Sequence, residues 1–235
     1  MRKLLVLAVV LLALSATSAV ARPVQAGDFI QFFDSPVGTT NGGEFIVRAH
    51  VANPNGAIDE FITFCLQRTE FIAFASTGAV FYVQSITNFA TSDDAAHGGD
   101  ILGRDFLDPR SAWIYSNYLD GNWAALGLDN PLYDASYRAD AVQRAIWCLE
   151  DEETGYCGTA NVITGIIDRA PANLFGLDGV GVLNLMRASY LNGQLSVTDA
   201  EAQDQLARAS VPEPGSLVLL GMGLLGFASV MRRRK

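Results

Sequence analysis

Residues 135–152 read "ASYRADAVQRAIWCLEDE". Val142, Ile146 and Leu149 recur at helical spacing, which makes this stretch the clearest helix of the chain. Gln143 and Trp147 stand four apart and share a face beside that stripe, so Gln143 belongs at the edge of the core under bulky aromatic cover. Working upstream, "DGNWAALGLDNPLYD" (120–134) reads as loop. "PRSAWIYSNYL" (109–119) reads as a short aromatic helix. Asp108 and Pro109 open it, an N-cap acid followed by proline at the first helical position.

Before about Ala90 the period changes. In "EFIVRAHVAN" (44–53), Phe45, Val47, Ala49 and Val51 fall on one face, with Arg48 and His50 on the other. "FITFCLQ" (61–67) and "AVFYVQSITNF" (79–89) are aromatic and β-branched runs separated by turns such as "NPNG" (53–56). Downstream, "TDAEAQDQLAR" (198–208) carries a capping box from Thr198 to Glu201 and predicts a final helix. Strands first and helices second give an α+β class: a single domain with an N-terminal antiparallel β-sheet and C-terminal helices.

The 235-residue chain is apolar at both ends for reasons other than a core. Arg2 and Lys3 precede the apolar run Leu4 to Leu14, and small residues follow at Ala19, Ala21 and Ala26. This pattern predicts a secretory signal peptide over 1–26, cut after Ala21 or Ala26. Seven of the 16 basic residues and one of the 25 acidic residues lie outside 27–211, leaving 9 against 24 and a net charge of −15. Such a surface repels phosphate backbones, so nucleic acid is not an expected partner. Both lysines, Lys3 and Lys235, sit in the end segments.

The last residues read "VPEPGSLVLLGMGLLGFASVMRRRK" (211–235). At about 1.5 Å per residue, a helix from Leu217 to Met231 spans roughly 22 Å, short of a hydrocarbon core near ~30 Å. The cluster Arg232 to Lys235 stays cytoplasmic by the positive-inside rule. The segment is thus a weak stop-transfer helix that holds the chain transiently at the membrane with its core outside. These three parts, in this order, resemble the PEP-CTERM sorting signal of Gram-negative bacteria. The resemblance implies that Pro212, Glu213 and Pro214 form the motif read by exosortase, a membrane-embedded cysteine transpeptidase, and that 209–235 is a sorting segment. It also implies an envelope, surface or biofilm-matrix location in bacteria that make exopolysaccharide.

Within the remaining 27–208, two stretches resemble the signatures of Cys-Gln thioester domains of bacterial surface proteins. Phe64, Cys65 and Leu66 match aromatic-Cys-aliphatic; Val142, Gln143, Ile146 and Trp147 match aliphatic-Gln-x-x-Ile-Trp. The resemblance implies that the Cys65 thiolate attacks the Gln143 carboxamide, expels ammonia and leaves an internal thioester. Such a bond survives only where apolar walls exclude water, a role that Phe64 and Trp147 could fill as a shield. A polysaccharide or surface-protein nucleophile would then take the acyl group. The alternative is a non-covalent structural or adhesive matrix protein that uses exposed aromatics such as Trp113 and Trp123.

Three cysteines leave one odd in an exported chain. Cys148 and Cys157 bracket "LEDEETGY" and read as a disulfide that ties off the helix end. The alternatives are two reduced thiols, or a Cys65–Cys148 bond that would preclude the thioester. A Cys-His hydrolase would need His50 or His97 beside Cys65, and no signature surrounds either. Asp93, Asp94 and Asp100 lack EF-hand spacing, and Glu150, Asp151, Glu152 and Glu153 read as a solvated surface. No phosphate loop, dinucleotide fingerprint or serine elbow is present. The expectation is a non-enzymatic protein with no cofactor and no metal.

Overall fold

The structure is a computed structural model, and it describes residues 24–37, 43–49, 59–68, 70–91, 98–158 and 160–208. The signal peptide and the sorting tail with Pro212, Glu213 and Pro214 lie outside these residues, as do His50, Val51, Asp93, Asp94 and His97.

Among the described residues, eight strands and four α-helices follow in the order β1 (Phe29–Asp34), β2 (Phe45–Ala49), β3 (Glu60–Thr63), β4 (Val80–Thr87), β5 (Phe89–Thr91), β6 (Arg104–Phe106), α1 (Pro109–Leu119), α2 (Trp123–Leu126), α3 (Ala135–Leu149), α4 (Val162–Arg169), β7 (Val180–Leu191) and β8 (Gln194–Arg208). Six strands form one antiparallel sheet in the order β3-β2-β1-β4-β7-β8, and β5 pairs with β6. The architecture is α+β, but the strands do not all come first. The predicted final helix at 198–208 is instead the second half of β8, and the predicted loop at 120–134 contains α2.

The reason is local. Asn192 and Gly193 both have positive φ, 52° and 79°, and they join the Leu191–Gln194 pair of the β7–β8 hairpin. That is the two-residue Asn-Gly turn whose twist suits antiparallel strands. It outweighs the helical propensity of the Ala, Glu and Gln residues beyond it. From Ala202 to Ala207 both faces of β8 are buried, which hides the alternation that marks a half-exposed strand.

The two ends of the sheet also meet. Past the end of β3, Leu206 N–H donates to Phe64 O at 3.0 Å and Leu66 N–H donates to Asp204 O at 3.0 Å, with Cys65 opposite Gln205. The sheet is therefore closed on itself through the 64–66 segment. Tyr115 and Thr63 hold this seam: Tyr115 OH donates to Ile62 O and Thr63 Oγ1 to Leu206 O, both at 2.6 Å.

Successive residues of an extended segment point to opposite sides, and here they enter two different cores. Phe64 and Leu66 join Tyr115, Val142, Ile146 and Leu206 on the helical side. Cys65 joins Ile30, Phe32, Val47, Phe81 and Leu183 on the other. Each large apolar side chain buried this way contributes about 1.5–3 kcal/mol. Phe45, Val47 and Ala49 fall on the buried face of β2, as the alternation in 44–53 predicts. The helices start as their caps dictate. Asp108 Oδ1 accepts from Arg110 N–H at 2.8 Å, with Pro109 at the first position, and Asp134 Oδ1 accepts from Tyr137 N–H at 2.8 Å.

Candidate functional site

In an antiparallel ladder, a residue in a non-hydrogen-bonded pair turns its own N–H and C=O away from the partner strand. Cys65 is such a residue, because the ladder bonds to β8 belong to Phe64 and Leu66. Its free backbone edge is taken by a side chain. Cys65 N–H donates to Gln143 Oε1 at 2.9 Å, and Gln143 Nε2 donates to Cys65 O at 2.7 Å. Gly43 N–H also donates to Oε1, at 3.4 Å. The two backbone groups of Cys65 fix which end of the amide is oxygen and which is nitrogen. Gln143 therefore acts as a one-residue strand laid against Cys65. It is wholly buried, deeper than the core-edge position that its helical spacing suggests.

The thiol has its own partners. Cys65 Sγ donates to Gln203 Oε1 at 2.9 Å, and Gln205 Nε2 donates to Sγ at 3.4 Å. Burial pushes the Cys65 thiol up to about 12, and the Gln205 hydrogen bond pulls the other way. Cys65 is free, because Cys148 and Cys157 are bonded to each other with Cα atoms 5.5 Å apart. Cys65 lines a cleft of about 610 Å³ together with Phe45, Phe74, Trp147, Tyr156 and Gln203.

The structure brings Trp147 to the Cys65 side and takes Phe64 to the other. Trp147 shares the Cys65 core, whereas the Phe64 ring packs edge-on against Tyr118, with centroids 4.9 Å apart. Trp147 in turn is clamped by the disulfide loop. Its carbonyl accepts from Glu152 N–H at 2.8 Å and Glu153 N–H at 3.2 Å. Glu152 Oε2 accepts from Arg68 N–H at 2.8 Å, Glu153 pairs with the Arg68 guanidinium at 2.9 Å, and that guanidinium sits 5.8 Å from the Trp147 ring centroid. The acidic run expected to be solvated is mostly buried: of its four carboxylates only Asp151 is exposed. Glu150 is held well above the usual carboxylate range by burial, reinforced by Asp105 and Asp108 nearby. Among the described residues no group of three His, Cys, Asp or Glu could hold a metal ion.

Gly43, Gln203 and Gln205 complete the site, and the two glutamines carry no signal in a helix reading of 198–208. The Asn192–Gly193 pair could have exposed the hairpin, and with it two glutamines on one strand face opposite Cys65.

Residues 210–235 match the PEP-CTERM protein-sorting motif. This signal marks an exosortase-sorted, exported chain bound for the cell surface or extracellular space. Pro212, Glu213 and Pro214 fall inside the match. The fold is similar to that of the N-terminal thioester domain of a surface protein from Clostridium perfringens, at 12% identity and a TM-score of 0.40, over 69% of this chain and 87% of that one. No curated protein sequence matches the chain. Among the described residues no helix is long and apolar enough to cross a membrane.

Proposed function

We propose that the exported core forms an internal thioester between Cys65 and Gln143 and uses it to join the protein covalently to a partner at the cell surface or in the extracellular matrix. The observation that carries this reading is the two-point docking of the Gln143 carboxamide on the backbone of Cys65, the residue whose buried thiol is the nucleophile.

The chemistry follows from that docking. The thiol gives up its proton and sulfur attacks Cδ of Gln143. The oxygen that becomes negative is Oε1, and it already accepts from the N–H groups of Cys65 and Gly43. Paired backbone donors of this kind stabilise a tetrahedral oxyanion. The C–N bond breaks and Nε2 leaves as ammonia carrying the thiol proton, while an S–C bond replaces it. A partner amine or hydroxyl, on a surface protein or a polysaccharide, then attacks the acyl carbon. The products are an amide or ester at Gln143 and a regenerated Cys65 thiol. The cleft beside Trp147 admits the nucleophile.

Intact-mass measurement of the purified domain tests this. The expected result is a mass lower by one ammonia, restored by Cys65→Ala and by Gln143→Ala. A full unmodified mass in the native protein, with Cys65 open to alkylation, ends the reading.

The non-covalent adhesive alternative has no comparable support. Trp113 and Trp123, expected to be exposed, pack partly buried against the helical core, and the Arg138 guanidinium lies 4.9 Å from the Trp123 ring centroid.

A further inference from the structure

We propose that Gln203 and Gln205 of β8 are positioning residues for the Cys65 thiol, one receiving its S–H and the other bonding its sulfur. The inference rests on the thioester reading of the same site.

Residues two apart on a strand project to the same side, so Gln203 and Gln205 approach Cys65 together from across the seam. Both are buried, at 4% and 0% exposure. A core position facing a cysteine is ordinarily filled by an apolar side chain, since a buried amide costs free energy unless each end finds a partner. Here the two amides find partners besides the thiol, and Gln203 is oriented by one of them. Gln203 Nε2 donates to Gln67 O, which turns Oε1 toward Sγ. Gln205 Oε1 lies 3.3 Å from Thr63 Oγ1, whose proton goes to the nearer Leu206 O, and Gln205 Nε2 faces Sγ. Gln205 Nε2 also reaches Gln203 Oε1 at 3.4 Å, linking the two amides. The sulfur thus receives one acceptor, locked from behind by Gln67, and one donor.

These two contacts suit the two ends of the reaction. The acceptor fixes the direction of the S–H bond, and the donor favours negative charge on sulfur. In bond formation, S–C forms, C–N breaks and the thiol proton leaves on ammonia; both glutamines end unchanged. In opening by an amine, its nitrogen forms a C–N bond to the acyl carbon as the S–C bond breaks, the Gln205 donor stabilises the departing sulfur and a proton from the amine returns to it.

The test uses the full exported domain with methionine replacements, which keep side-chain length and remove the amide. In a Gln143→Ala background no acyl bond can form, and Cys65 is the single free thiol. Its infrared S–H stretching band is expected to move to higher frequency in Gln203→Met, which removes the acceptor. With Gln143 present, the opening of the bond by methylamine, followed by mass, is expected to slow about tenfold or more in Gln205→Met, and likewise in Gln205→Glu, which offers sulfur no donor. Native melting curves with an unshifted band in Gln203→Met, or an opening rate unchanged in both Gln205 variants, overturn the proposal. A wild-type protein that never loses ammonia overturns the thioester reading instead, while the S–H band still reports on Gln203.

Discussion

Gln143 Nε2 lies 2.7 Å from the carbonyl oxygen of Cys65, residue 78 positions earlier in the chain. The same amide closes the ring through Oε1 and Cys65 N–H. Replacing Gln143 by alanine leaves both backbone groups of Cys65 without their partner in a buried setting. The expected cost is about 2–4 kcal/mol of unfolding free energy, read from urea denaturation against a Cys65→Ala variant that keeps the two bonds.

The disulfide supports the cover over the thiol. Cys148 follows Trp147 directly, and the loop it closes returns two N–H groups to the Trp147 carbonyl. A Cys148→Ser, Cys157→Ser double variant is expected to lose about 2–3 kcal/mol, in line with a short closed loop. Its Cys65 is expected to react several-fold faster with iodoacetamide when Gln143→Ala is also present, because Trp147 and the Arg68–Glu153 pair are no longer tied down. Equal alkylation rates would separate the disulfide from the cover.

Glu150 gives a pH signature. Its carboxyl is raised in the folded protein, so the native state holds its proton to higher pH than the unfolded chain, whose value is about 4.3. Between those two values the native state binds more protons, and stability falls as pH rises. Glu150→Gln removes that slope. Glutamine keeps an acceptor for Asp108 N–H, now bonded at 3.2 Å. The variant is expected to be more stable than wild type at pH 7, with the gain vanishing near pH 4. Thermal melts across this range read it directly.

Tyr118 and Glu44 offer a fourth check. Tyr118 OH donates to Glu44 Oε2 at 2.6 Å, and Ser35 Oγ donates to Oε1 at 2.5 Å. Glu44 precedes the strand that faces the cleft and follows Gly43, whose N–H meets Gln143. Tyr118→Phe removes one of two donors to this buried carboxylate, at an expected cost of about 1–3 kcal/mol. Chemical denaturation reads the loss, and ammonia loss by mass is expected to fall with it if Gly43 shifts.

The parts of this protein that could be read from its sequence are those with a local cause. The cap at Asp108–Pro109, the Val142–Ile146 stripe and the alternation through Phe45 and Val47 each act within a few residues, and each stands as its pattern implies. The pairing of Cys148 with Cys157 spans only a short loop. The site was half legible: Cys65 and Gln143 carry recognisable neighbours, whereas Gln203 and Gln205 sit in a segment whose Ala, Glu and Gln content speaks for helix. What decides that segment is pairing with β7 and with residue 65, which no window of sequence contains. Phe64 stands next to Cys65 in the sequence, yet adjacency in an extended chain places two side chains on opposite sides.

The closure of the sheet at residue 65 sets a schedule. Its partner residues 203–206 are among the last of the fold to be synthesised, and the sorting motif begins at 210. Thiol and carboxamide can be built early, but the glutamines that surround the sulfur arrive only as the tail does. The site therefore cannot be complete until the chain has been made nearly as far as its sorting motif.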